Sequence, residues 1–254
     1  MRSQVLARMI IRAVVLSVAI TAFGLMGCST IQRKLLFYPS HRPGDNGLTL
    51  WRIDGRLIGF ARITSGPKNV WLLLHGNAGQ AADRAYAIGA FFPNDSVFIL
   101  EYPGYGERSG VPSMESFNAA ATEAYLELRR RFPSTPICVA GESIGSGPAS
   151  ILAKQPVPPD KIVLVVPFDT LKSVASEHAP YLPTGLILGR SWDNIAALSN
   201  YKGPIEIFGA AQDAVIPIDH AEALSRSLPW AKFHKISGGH NDWSRNNQVV
   251  FHNP

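Results

Sequence analysis

Cysteine is scarce in this 254-residue chain. There are two, Cys28 and Cys138, too few for a disulfide scaffold. Charge is thin as well: 17% of residues are charged and 46% are apolar. Because the apolar residues run along the whole chain, disorder is excluded as its main state. No H-x-x-x-H spacing and no Cys/His cluster occurs, so no metal is expected. Gly104 and Gly106 begin a G-x-G, but Ser109 stands where the third glycine belongs. The dinucleotide fingerprint therefore fails, and no organic cofactor is expected either.

Acidic residues are missing altogether from residues 1–27, which carry Arg2, Arg8 and Arg12. An apolar run of about 14 residues follows, from 13 to 26, short of the ~20 that a spanning helix needs. A basic start, a short apolar segment and a small-residue end describe an export signal, not a structural helix. It closes on Leu25-Met26-Gly27-Cys28-Ser29, which resembles the lipobox of a bacterial lipoprotein. That resemblance implies lipidation of Cys28, a membrane partner through the lipid, and residence at the outer membrane facing the periplasm. A plain signal peptide cut elsewhere, or an uncleaved anchor helix, is the alternative. Without residues 1–27 the net charge falls from +5 to about +2. The basic balance then belongs to a leader, and no nucleic-acid partner is expected.

Residues 28–47 read as a lead-in from the anchor, in which 35–38 either pack on the body or lie near lipid. The rest, 48–254, reads as one domain. Short apolar runs at 57–63, 70–74, 96–101, 137–141, 161–166, 204–209 and 232–236 are expected strands. Helices are expected at 78–92, 113–132, 144–154, 218–228 and 243–250. Strands alternating with helices predict an α/β fold with a doubly wound, mostly parallel sheet. Residues 169–202 exceed an ordinary connection and read as a short cap insertion.

The strand at 137–141 runs into Gly141-Glu142-Ser143-Ile144-Gly145. This is G-x-S-x-G in strand–turn–helix context, where a tight turn leaves the Ser143 hydroxyl exposed above the sheet. The Ile144 amide, at the helix start, is placed to hold an oxyanion. After the strand at 70–74 comes His75-Gly76-Asn77-Ala78-Gly79, a source of the second oxyanion amide, from Asn77 or else Ala78. His75 precedes Ser143 and so reads as structural. The chain order Ser, acid, His points to Asp213, after the strand at 204–209, and to His240, after the strand at 232–236. Asp169 is the rival acid. His41, His178, His220, His234 and His252 read as surface or packing residues. Cys138 reads as a buried filler.

Together with Tyr102-Pro103-Gly104-Tyr105-Gly106, these stretches make residues 35–250 resemble an α/β-hydrolase, in particular its small serine hydrolases. The resemblance implies cleavage of an ester-like acyl bond in a small-molecule or lipid-like substrate. Ser143 would be the nucleophile, His240 the base, Asp213 its orienting acid, and Asn77 with Ile144 the oxyanion hole. Thioesters and amides stay open, as does oligomeric state. Two alternatives also stand: acyl transfer by the same residues, and a non-catalytic envelope lipoprotein that uses the fold for binding.

Overall fold

Five of the segments, VWLLL, SVFIL, ICVAGE, KIVLV and IEIFGA, are buried at every position. Runs that are apolar on both faces suit the middle of a parallel sheet covered from two sides. In the computed structural model they are β3 (Val70–Leu74), β4 (Ser96–Leu100), β5 (Ile137–Glu142), β6 (Lys161–Val165) and β7 (Ile205–Ala210). The structure describes residues 33, 36–42, 46–181, 184, 188, 189 and 191–254. The chain divides into two units, residues 1–37 and 38–254. The leader, Cys28 and half of the lead-in lie outside the described residues.

Among the described residues eight strands form one sheet, in the order β1-β2-β4-β3-β5-β6-β7-β8. Here β1 is Thr49–Ile53, β2 is Arg56–Arg62 and β8 is Lys232–Ile236. β1 with β2 and β2 with β4 pair antiparallel; every other pair is parallel. The mostly parallel α/β sheet expected from the sequence is what forms, with β5 near its centre.

Alternate residues of each strand face opposite sides. Trp71, Leu73, Val97, Ile99, Cys138, Ala140, Val163 and Val165 share one cluster with Ala81, Ala87 and Phe91 and with Trp243, Val249 and Phe251. One face is therefore covered by residues 81–91 and by the C-terminal segment. On this face the expectations were only partly met. Residues Ala81–Ala90 form successive 3-10 turns, not an α-helix. The expected helix at 243–250 is absent. A 3-10 turn at Arg245–Asn247 stands there, with Asn246 and Asn247 at positive φ. Those left-handed residues let the chain run on so that Phe251 stacks on Phe91 at 4.3 Å and donates its N–H to Ala90 O. Burial of the aromatic ring overrides the local helical pattern.

Helix α1 (Met114–Arg131) contacts β3 and β4 and opens on a capping box at Ser113. Ser113 Oγ accepts from Ser116 N–H at 3.0 Å and Ser116 Oγ from Ser113 N–H at 2.9 Å, with serine in the place usually taken by Glu or Gln. The expected helix at 144–154 is α only over α2 (Ser146–Ile151), with 3-10 turns on both sides. The stretch 169–202 includes α3 (Leu171–His178) and α4 (Asn194–Leu198), and α5 (Ile218–Ser227) lies between β7 and β8.

Candidate active site

Ser143 directly follows β5 with φ of 53°, a left-handed conformation that a side chain tolerates poorly. The flanking glycines explain how the turn closes. A Cβ on Gly145 would collide with the carbonyl oxygen of Leu74, and one on Gly141 would lie 2.7 Å from both the Ala149 methyl and the Gly145 oxygen. Ser146 Oγ donates to Ser143 O at 2.6 Å and accepts from Asn194 Nδ2 at 3.1 Å. The strained turn is thus held from behind.

Asp213 follows β7 and turns its carboxylate inward, its side chain 1% exposed. One oxygen, Oδ1, accepts from the amides of Val215 and Ile216, both at 2.8 Å. The other, Oδ2, lies 2.7 Å from His240 Nδ1, and His240 Nε2 lies 2.8 Å from Ser143 Oγ. A carboxylate only accepts, so Nδ1 carries the proton and Nε2 presents a lone pair, to which the Ser143 hydroxyl donates. The two loops that carry Asp213 and His240 are tied together: Gln212 accepts from Gly238 N–H through Oε1 at 2.6 Å and donates its own N–H to Gly238 O. Gly238, at φ of 89°, makes the bend that brings the imidazole back over β5.

The loop 75–79 sits at the C-terminal end of β3 on a buried polar base. His75 is fully buried; its Nδ1 donates to Gly76 O at 2.7 Å and its Nε2 faces Glu101 Oε1 at 3.5 Å. Glu101 in turn accepts from Ala81 N–H, and Tyr102 donates to His75 O at 3.0 Å. His75 is therefore occupied structurally and does not approach Ser143 through any of these bonds. Asn77 Oδ1 accepts from Tyr105 Oη at 2.9 Å.

Glu142 escaped the sequence reading, which treated it as the variable position of G-x-S-x-G. Its Oε2 accepts from Gly76 N–H at 3.2 Å and pairs with Arg84 Nε at 3.2 Å. Arg84 also donates to Ala78 O at 2.6 Å. Burial works against the Arg84 charge, but Glu142, Tyr86 and Asp83 hold the guanidinium above its ordinary value. The residue beside Ser143 thus braces the loop that carries Asn77. No local pattern signals this, because the partners lie 58 and 66 positions away.

Asp169, the rival acid, receives Thr170 N–H and lies 2.8 Å from His220 Nδ1; Glu177 faces the other nitrogen of that ring at 3.0 Å. It serves His220, not His240. Three more histidines have partners away from Ser143: His41 donates to Gly106 O, His178 to Val215 O, and His234 faces Glu206. Among the described residues no group of three or more His, Cys, Asp or Glu is arranged for a metal ion.

No protein-family model matches the chain. Protein Rv2307c of Mycobacterium tuberculosis strain H37Rv is 30% identical over 247 residues, covering 90% of this chain and 88% of its own length, and the two belong to one family. Alpha/beta hydrolase domain-containing protein 17C of Xenopus laevis is 29% identical over 215 residues, covering 76% of this chain and 63% of that one. The chain belongs to the α/β-hydrolase superfamily. The fold of this α/β hydrolase also matches the esterase Pf2001 of Pyrococcus furiosus at a TM-score of 0.63 and 13% identity, over 81% of this chain and 91% of the other.

Proposed function

We propose that this α/β hydrolase is a serine hydrolase that cleaves an ester-like acyl bond. One observation carries the reading: Asp213, His240 and Ser143 form an unbroken hydrogen-bonded line in which His240 Nε2 faces the Ser143 hydroxyl. As Ser143 Oγ attacks the substrate carbonyl, His240 takes its proton and Asp213 stabilises the imidazolium. The amides of Asn77 and Ile144 receive the oxyanion. His240 then protonates the leaving group, the acyl group stays on Ser143, and water, deprotonated by His240, releases the acid.

Treatment with a fluorophosphonate probe should label Ser143. Ser143→Ala should abolish both labelling and turnover of a p-nitrophenyl ester, and His240→Ala should lower turnover by about 10⁴-fold or more. Labelling that survives Ser143→Ala would overturn the assignment. The anchor belongs to the same reading: Cys28 carries lipid and holds the enzyme at the outer membrane. Cys28→Ser should move the protein from the membrane fraction to the soluble one, or leave its precursor uncut. Fractionation identical to wild type would place the anchor elsewhere.

A further inference from the structure

Residues 38–42 lie between two loops at the C-terminal ends of β3 and β4. Pro39 bridges Gly79 in the parallel sense. Gly79 N–H donates to Tyr38 O at 3.3 Å and Ser40 N–H to Gly79 O at 2.8 Å. On the other side, Gly106 N–H donates to Ser40 O at 2.8 Å, and His41 Nδ1 donates to Gly106 O at 2.7 Å. Gln80 Nε2 donates to Arg42 O at 2.6 Å. This short strip is stitched to the loop 75–79 on one flank and to the loop 102–106 on the other.

At its start the three segments meet on one atom. Tyr38 N–H is shared between Asn77 Oδ1 at 3.2 Å and Tyr105 Oη at 3.1 Å, while Tyr105 O–H donates to Asn77 Oδ1 at 2.9 Å. A backbone N–H can only donate, so the Tyr38 amide identifies the atom it meets on Asn77 as the amide oxygen, to which the Tyr105 hydroxyl then also donates. Tyr105 is fully buried, and burial pushes its phenol above its usual value, so it keeps the proton it donates. The side chain of Asn77 is thereby fixed, and with it the backbone amide of the same residue.

We propose that Tyr105 and the Tyr38 amide form a clamp on Asn77 that aims its backbone N–H at the oxyanion, which makes Tyr105 a positioning residue for hydrolysis. This rests on the reading of Asn77 as an oxyanion donor. The clamp acts only through that amide, and an oxyanion donor strengthens its bond as the transition state forms. Its loss therefore falls on kcat and leaves KM nearly unchanged.

The test uses the full chain and p-nitrophenyl butyrate. Tyr105→Phe should lower kcat about tenfold or more, a part of the 10²–10³ attached to a whole oxyanion donor, with KM within about twofold. Affinity for phenylboronic acid, which mimics the tetrahedral intermediate on Ser143, should fall in parallel. Asn77→Ala keeps the backbone N–H but removes the clamped oxygen, so it should reproduce the loss. In the double variant the losses should not multiply. Ser143→Ala is run alongside. If Ser143→Ala stays active, the hydrolase reading fails and the clamp with it. If Ser143→Ala is dead while Tyr105→Phe keeps full kcat, the clamp alone is overturned. Losses that multiply, or a kcat that falls only with a matching drop in melting temperature and a shift in KM, overturn it too.

Discussion

Ser143 holds its hydroxyl in place through backbone strain. Left-handed φ costs a non-glycine residue roughly 1–2 kcal/mol, and here the turn cannot relax because Gly145 is pressed against Leu74. Ser143→Gly and Ser143→Ala should both be inactive, but the glycine variant should be the more stable by about 1 kcal/mol, or about 2–4 °C in melting temperature. Calorimetry of the pair checks this; equal melting temperatures would show that the turn bears no strain. Cys138 offers a contrasting case. It is fully buried in β5, and burial pushes its thiol up to about 12. Iodoacetamide at pH 8 should leave Cys138 unmodified in the folded protein and modify it in urea, as read by mass spectrometry of its peptide. That Ser143, Asp213 and His240 come together was legible in the sequence, because each follows a strand in the chain order that goes with this fold. Glu142, Arg84 and Tyr105 were not, since their roles arise from contacts between loops far apart in the chain.

Among the elements, α1 was read almost to the residue, because its start is written locally in Ser113 and Ser116 and its stop in Pro133. Ser113→Ala removes the acceptor for Ser116 N–H and should cost about 1 kcal/mol. Urea unfolding should show a lower midpoint at an unchanged slope. Where the pattern misled, tertiary contacts had decided the outcome. β1 went unread because it is a five-residue edge strand that includes Arg52 and has a bulge between Trp51 and Arg52. The apolar residues at 243–251 suit a helix face, yet they meet Phe91 and Trp71 from an irregular segment that begins in turns. The Ala-rich stretch at 81–90 keeps its buried face, Ala81, Ala87 and Ala90, but in tighter turns.

Across the whole molecule, the edge of the sheet away from β1 is anchored by a buried ion pair. Lys161 on β6 pairs with Glu206 on β7, whose other oxygen faces His234 on β8 at 2.8 Å. Lys161 also donates to His252 O at 2.8 Å, which ties down the C-terminal segment. Burial opposes the Glu206 charge, but Lys161 and then His234 prevail and lower its value. Its contribution to stability is therefore present above the ordinary carboxylate range and is lost as pH falls through the lowered folded value. Glu206→Gln leaves Lys161 buried without its counter-charge and should cost about 3 kcal/mol at pH 7. The gap to wild type in a chemical melt should narrow as the pH drops below 4, and a gap that is constant with pH would contradict the lowered value.

Among the described residues β8 has a neighbour on one side only, and four of its five residues are at least partly exposed. Edge elements of this kind open locally before the interior does. The imidazole proposed as base rides just beyond β8, whereas the nucleophile is rooted in the buried β5. Warming should therefore silence the enzyme while the sheet still stands: the midpoint of reversible activity loss should lie below that of the far-ultraviolet signal. In that interval the protein would be a folded molecule with its proton acceptor swung away, restored to work on cooling by the re-docking of one strand.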